Sequence, residues 1–166
     1  IIYKVVDMMR IGIISDTHRF TKAIDHAIPY LQDCDLIVHA GDNIDDADYI
    51  EAVTDIPVVA VKGNCDFYSD PGKDEETFMA EDKRVFVCHG HNYGIKYSMS
   101  DLLNKALNSN IDIVIFGHSH IPFYQEIRGI IFINPGSVSL PRGGSSKGLG
   151  ILDIENGEIT YERIEI

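Results

Sequence analysis

Aspartate, asparagine and histidine residues follow five apolar runs along this chain, each at the end of its run. The segments are Asp16-Thr17-His18, Gly41-Asp42, Gly63-Asn64-Cys65-Asp66, His89-Gly90-His91 and Gly117-His118-Ser119-His120. Carboxylate and amide oxygens and neutral imidazole nitrogens are ligand types that suit divalent transition metals. Because open α/β sheets bind ligands outside the carboxyl ends of their strands, the five segments together predict one shared metal site.

Each segment on its own has an ordinary structural interpretation. Asp16 can cap a turn, and Gly41-Asp42 and Asn64 suit tight or left-handed turns. His89 can be a satisfied core histidine. The segment Gly117-His118-Ser119-His120 is the most specific, because two imidazoles at alternate positions after a buried strand are hard to explain by packing. In an extended backbone, such alternation directs both side chains to the same side, as it does for Asp-x-His.

The elements that position these segments alternate between strand and helix in the first half of the chain. Strands are predicted near 10–15, 36–40 and 57–61, with helices near 21–32 and 46–53. This βαβαβ order predicts parallel strands joined by right-handed crossovers.

Strands dominate the second half of the chain. They are predicted near 76–80, 83–88, 112–116, 123–127, 130–133, 148–154 and 158–164, with one helix near 99–108. Asn156-Gly157 is a strong hairpin-turn signal. We expect the second half to form a mixed or antiparallel sheet packed on the first. The predicted fold is therefore an α/β sandwich of two sheets with helices on the outside.

Composition limits the classes of protein and partner. A chain of 166 residues predicts one domain, and its apolar runs are too short to span a bilayer. Three cysteines without paired spacing disfavour a disulfide framework and favour a reducing cytoplasm. The formal net charge of -12 disfavours nucleic acid as a tight partner.

The first residues of the chain differ in character from the domain behind them. The chain opens at Ile1, and Met8-Met9-Arg10 leads directly into the first strand. We expect residues 1–8 to be an N-terminal extension, with a natural start at Met8 or Met9, and residues 9–166 to form the single domain. The alternative is that Ile1–Val6 makes an extra edge strand.

The five motifs, in this order, resemble those of the calcineurin-like metallophosphoesterase superfamily, from Arg10 to Ile164. The small size and the segments Asn134-Pro135-Gly136-Ser137 and Pro141-Arg142 resemble its minimal bacterial and archaeal phosphodiesterase branch. The small subunit of the eukaryotic retromer coat is similar too. The resemblance implies a four-layer fold, in which two mixed sheets form a sandwich with helices outside.

The resemblance also implies a dinuclear centre for two divalent transition-metal ions, drawn from Mn, Ni, Fe, Co or Zn. The first ion would be bound by Asp16, His18 and His120, the second by Asn64, His89 and His118, and both by the bridging Asp42. A hydroxide that bridges the ions would attack a small phosphodiester substrate in line.

One position departs from the family pattern. Cys65 follows Asn64 where the family usually carries a histidine thought to assist the leaving group. A thiol is a poor acid near neutral pH, so we expect a preference for diesters with acidic leaving groups. His91 is the nearest other candidate for a catalytic acid or phosphate donor, although it also fits a supporting or surface imidazole. Arg142 is a candidate phosphate ligand or a solvated loop residue.

Two other functions fit the same residues less well. A phosphomonoesterase is disfavoured by the missing motif histidine and by the absence of long insertions. A binding scaffold of the retromer-subunit type is disfavoured because every ligand position carries a competent side chain. The hairpins at 123–133 and 148–164 offer strand edges, which leaves a homodimer as a candidate assembly.

Overall fold

The computed structural model of the protein describes residues 8–67 and 71–166, which form two five-stranded sheets and three α-helices. The strands are β1 (Met8–Ile14), β2 (Leu36–His39), β3 (Val58–Ala60), β4 (Glu75–Ala80), β5 (Lys83–Cys88), β6 (Ile113–Ile115), β7 (Phe123–Ile127), β8 (Ile130–Asn134), β9 (Gly148–Glu155) and β10 (Glu158–Glu165). The helices are α1 (Thr21–Leu31), α2 (Asp45–Thr54) and α3 (Ser100–Asn108). Every predicted element is present, with bounds that differ by at most two residues at either end.

The first sheet has the strand order β10-β9-β1-β2-β3. Strands β1, β2 and β3 are parallel, as the βαβαβ pattern predicts, and β9 pairs antiparallel to β1. The expectation that the whole second half forms the second sheet is therefore wrong for its last hairpin. The sequence of β9, Gly148–Glu155, carries the reason, because its nearly continuous apolar run is typical of a strand that is covered on both faces.

The second sheet has the strand order β4-β5-β6-β8-β7. Strands β5, β6 and β8 run parallel, and β4 and β7 pair antiparallel at the edges. This sheet is therefore mixed, which is one of the two arrangements, mixed or antiparallel, that were expected from the sequence.

Three apolar layers hold the four structural layers together. Side chains such as Ile13, Val38, Val87 and Ile115 fill the space between the sheets. Helix α1 buries residues spaced at three and four positions, including Ile24, Ile28 and Leu31, against the outer face of the first sheet. Helix α3 packs Leu102 and Ala106 against the second sheet. This confirms the predicted sandwich with helices outside.

The predicted N-terminal extension falls, apart from Met8, outside the described residues, so it stays a prediction. Met8 itself is the first residue of β1 and pairs with Glu155 of β9. Among the described residues, no helix is long and apolar enough to cross a membrane.

Candidate metal centre

The five motifs meet at one edge of the sandwich. They follow the carboxyl ends of β1, β2 and β3 in the first sheet and of β5 and β6 in the second. Since these strands are parallel within each sheet, their ends lie at the same edge. The two sheets face each other there, so side chains from both can converge.

The backbone at these ends is not extended, which corrects the expectation for the Asp-x-His and His-x-His segments. Strand β1 stops at Ile14 and β6 at Ile115. Ligand residues that follow β1, β2 and β6 have positive φ values, namely 54° at Asp16, 51° at His18, 64° at Asp42, 68° at His118 and 59° at His120. Non-glycine residues adopt this region rarely and at a cost, and such residues cluster at functional sites.

Four side chains, which we call the first cluster, are Asp16, His18, Asp42 and His120. One ligand atom from each lies within 4.8 Å of the others. His120 Nε2 is 3.2 Å from Asp16 Oδ1 and 3.2 Å from His18 Nε2, and His18 Nε2 is 3.4 Å from Asp42 Oδ2. Three of the four residues are buried. This cluster of carboxylates and imidazoles could hold a metal ion.

The hydrogen bonding of the first cluster shows that its residues fit a cation. His120 Nδ1 donates to the carbonyl oxygen of Leu140 at 2.6 Å, so Nε2 presents a lone pair when the ring is neutral. That lone pair faces Asp16 Oδ1, which is buried and accepts no hydrogen bond from the described residues. Two lone pairs 3.2 Å apart repel unless a proton or a metal cation lies between them. A buried acceptor without a partner is otherwise costly.

The second cluster consists of Asn64, His89 and His118. His89 Nδ1 donates to the carbonyl oxygen of Ala40 at 2.8 Å, which directs Nε2 towards the site. This Nε2 lies 3.2 Å from Asn64 Oδ1, and the rings of His89 and His118 are 5.1 Å apart. The second cluster is more open than the first, because Asn64 is exposed and His118 is half-buried.

Asp42 lies between the two clusters. Its Oδ2 faces His18 at 3.4 Å, and its Oδ1 faces His89 at 3.3 Å. Burial opposes ionisation of this carboxyl, but the hydrogen bond and charge of His89 and the amide of Cys65 hold its pKa well below the usual range. The carboxylate is therefore charged and offers one oxygen to each cluster.

The remaining pKa shifts separate the histidines. Burial lowers the pKa of His89 and of His120, but the carboxylates of Asp42 and Asp16, respectively, outweigh it, and both values are raised above 6.5. Burial lowers the pKa of His118 to about 4, and the positive charges of His89 and Lys96 act in the same direction. His118 is thus neutral across the physiological range.

Two glycines let the backbone approach the ligands closely. A Cβ at Gly63 would overlap Asp42 Oδ1. A Cβ at Gly117 would overlap Ser15 Oγ and would lie 2.9 Å from Asp16 Oδ2. Neither gap has room for a side chain, so only glycine fits at these two motif positions without a rearrangement of its neighbours.

Sequence reasoning missed the hydroxyl groups that orient Asp16. Ser15 Oγ donates to Asp16 Oδ2 at 2.8 Å. Ser137 and Ser139 each donate to the Asp16 carbonyl oxygen at 2.8 Å. Asn134 Nδ2 donates to the Gly117 carbonyl oxygen at 2.8 Å. The Asn-Pro-Gly-Ser segment was the available signal, and its role is to hold two ligand loops in place.

Two further carboxylates fix ligand loops from behind. Asp46 Oδ2 accepts hydrogen bonds from Thr17 Oγ1 at 2.5 Å and from the Arg19 amide at 2.9 Å. Asp66 accepts from the amides of Ile44 at 2.8 Å and Gly63 at 2.7 Å. The sequence offered no signal for Asp46, since it reads as an ordinary acidic residue in the first turn of a helix.

The candidate catalytic residues lie beside the clusters. The centroid of the His91 ring is 5.4 Å from that of the His89 ring and 6.0 Å from that of the His118 ring. Arg142 is exposed, and its amide donates to the His120 carbonyl oxygen at 3.1 Å. Cys65 follows Asn64, and its amide donates to Asp42 Oδ1 at 3.0 Å. The structure therefore brings all nine predicted site residues to one region; their roles stay predictions.

Residues 9–157 match the family model of the calcineurin-like phosphoesterase superfamily domain. Because this match spans most of the chain, the protein belongs to that superfamily. The resemblance inferred from the motifs is confirmed.

Three known proteins illustrate the relationship. The chain is 36% identical over 153 residues to the Bacillus subtilis protein named "Probable metallophosphoesterase YsnB", covering 92% of this chain and 88% of that protein. A solved structure described as a novel archaeal phosphodiesterase is 28% identical with a TM-score of 0.74, covering 94% of this chain and 100% of that one. Vps29 of Entamoeba histolytica, solved with zinc, is 19% identical with a TM-score of 0.70, covering 94% and 98%. The Vps29 likeness shows the fold alone.

Proposed function

We propose that the protein is a metal-dependent phosphodiesterase with a dinuclear centre. The observation that carries the proposal is the position of Asp42, which directs one carboxylate oxygen towards each of two groups of ligand side chains. In a site for a single ion, one of these two groups of side chains would bind no metal. Two-metal sites hold their ions roughly 3.5–4 Å apart, and a carboxylate that faces both clusters can bind to both ions.

The two clusters supply enough ligands for two ions. Asp16, His18 and His120 would hold the first ion, and Asn64, His89 and His118 the second, with Asp42 shared. The ligands are nitrogen and oxygen atoms, which suits Mn, Fe, Co, Ni or Zn. Such ions, when bound, supply Lewis-acid stabilisation of the phosphoryl group and lower the pKa of a water nucleophile.

The side chains around the clusters favour a diester over a monoester as substrate. Partial burial of the Cys65 sulfur and the negative charge of Asp42 raise the thiol pKa to about 11, so the thiol is a weak proton donor to a leaving group. Burial lowers the pKa of His91, and the positive charge of His89 adds to this. His91 is therefore a neutral hydrogen-bond donor to phosphate rather than an acid at neutral pH.

Relatives support the substrate class. One of the structural neighbours is described as an archaeal phosphodiesterase, and the Escherichia coli relative named phosphodiesterase YfcE is 36% identical over 103 residues. We infer a small phosphodiester as substrate. The net charge of -12 disfavours tight binding of a nucleic-acid polymer.

The test is hydrolysis of bis-p-nitrophenyl phosphate and p-nitrophenyl phosphate with added Mn²⁺ or Ni²⁺. We expect the diester to be the better substrate, and Asp42→Asn to abolish the activity. Asp45→Asn is the matched control, because Asp45 is an exposed carboxylate at the start of α2. A faster reaction with the monoester would favour a phosphomonoesterase. No activity with any divalent metal would favour a binding scaffold.

A further inference from the structure

A cavity of about 370 Å³ opens beside the candidate metal centre. Its walls come from the segment before α3, which contributes Met99, and from the loop after β6, which contributes Ile121. Phe116 and Phe123 also line the cavity, and their ring centroids are 5.9 Å apart. The volume falls within the roughly 300–1,000 Å³ typical of small-molecule sites, and the lining is mainly apolar.

The cavity is continuous with the ligand loops. Ser119, which lines it, lies between His118 and His120 in the chain. Ser119 Oγ donates to the carbonyl oxygen of Ile121 at 3.2 Å, so the wall of the cavity and the two histidines belong to one ordered turn. Arg142 also lines the cavity, and its backbone amide donates a hydrogen bond to the His120 carbonyl oxygen. A molecule bound at the metal centre therefore has this cavity next to it.

The charged residues that line the cavity are cations. Lys96 and Arg142 are both exposed and lie on its lining. This is unusual for a surface of a chain whose net charge is -12. A second cavity, of about 460 Å³ between α2, β3 and β4, shows the contrast, because its charged lining residues are carboxylates such as Asp48, Glu51 and Glu76. An anion is attracted to the first cavity and repelled by the second.

We infer that this cavity binds a flat apolar substituent, such as an aromatic ring, carried by the phosphoryl group, while Lys96 and Arg142 face its anionic oxygens. The inference rests on the proposed function for the identity of the substrate. It deepens that function by selecting aryl or similarly apolar esters over short alkyl or highly polar ones. A second charged group on the substituent is disfavoured, because the mainly apolar lining would desolvate it.

The experiment compares phenylphosphonate and methylphosphonate as ligands of the Mn²⁺-loaded protein by isothermal titration calorimetry. The two anions differ only in the group that would enter the cavity. We expect phenylphosphonate to bind about tenfold more tightly, which is the effect of burying roughly half of an aromatic ring. The double variant Met99→Ala/Ile121→Ala removes two apolar walls. It should bring the ratio below about threefold without changing the affinity for methylphosphonate, since the apolar contact alone is lost.

The matched control is Val53→Ala/Met79→Ala, which shortens apolar side chains that are 47% and 56% exposed and lie outside the cavity lining. This control should keep the wild-type ratio. Lys96→Gln should lower the affinity for both phosphonates by the same factor. Equal binding of the two phosphonates by the wild type, or a ratio that survives the Met99/Ile121 variant, would overturn the inference. Binding is measured apart from turnover. If the protein prefers phenylphosphonate but hydrolyses no diester, the proposed phosphodiesterase activity is refuted, whereas the inference about the cavity stands.

Discussion

The two ligand clusters differ in how firmly the fold holds them. In the first cluster, Asp16 and His120 are buried, and hydroxyl and carbonyl groups of the chain fix both side chains. In the second cluster, Asn64 is exposed and His118 is half-buried, and only His89 is held by a buried backbone acceptor. For the proposed dinuclear centre, we therefore expect the first cluster to bind its ion more tightly and the second cluster to lie on the substrate side.

Removal of one imidazole from each cluster tests this difference most strongly. We expect His120→Ala to weaken binding of the tighter metal ion by about 100-fold or more, because even the outer partners of metal ligands affect affinity by about 10–100-fold. His118→Ala should leave that ion bound and weaken only the second. Titration with Mn²⁺ and the metal content per chain after dialysis measure both. Equal losses in the two variants would show that the clusters do not differ.

A glycine substitution tests whether the close approach of the Gly117 backbone to Ser15 and Asp16 stabilises the first cluster. Gly117→Ala should destabilise the metal-free protein by about 1–3 kcal/mol, because the new Cβ overlaps Ser15 and Asp16. Gly94→Ala is the control, since an added Cβ there meets nothing within 4 Å, although its φ of 59° makes that change mildly strained as well. Urea unfolding compares the two. A smaller loss at Gly117 than at Gly94 would contradict the packing of this loop.

The pH dependence of metal binding should separate the histidines of the clusters. The pKa values of His89 and His120 are raised above 6.5, so both rings hold protons in the metal-free protein until the pH exceeds that value. Metal must displace these protons, and affinity should therefore be lowest below pH 6.5 and rise with pH through the raised pKa values. The slope is about tenfold per pH unit for each proton displaced. His118, with a pKa of about 4, should not contribute.

Calorimetry in two buffers with different ionisation enthalpies counts the displaced protons. His89→Gln should remove one proton from this count and His118→Gln none. A metal affinity that does not change between pH 6 and pH 8 would refute the assignment.

The smallest expected effect concerns Cys65. A thiol whose pKa is about 11 contributes little as an acid at neutral pH. Cys65→Ser should therefore change the hydrolysis rate of bis-p-nitrophenyl phosphate by no more than about twofold. The backbone amide that contacts Asp42 is retained in this variant. A loss of tenfold or more would give the thiol a role in the reaction.

The positions of the candidate ligands could be predicted from sequence because they follow apolar runs that must be central strands. Asp42 and His89 follow buried parallel strands of different sheets, and such strand ends meet at one edge. The supporting side chains could not be predicted in the same way. Asp46 looks like any acidic residue in a first helical turn, and only its contacts with Thr17 and Arg19 in the folded protein reveal its role.

The sequence by itself determined the order of strands and helices, the family and the residues that gather at the site, because hydrophobic periodicity and motif spacing are local properties of the chain. The tertiary structure decided three further features. It placed the β9–β10 hairpin on the first sheet, and it bent the ligand segments into left-handed conformations at Asp16, His118 and His120. It also directed the two oxygens of Asp42 to different clusters. These features depend on contacts between residues far apart in the chain, and no local pattern encodes such contacts.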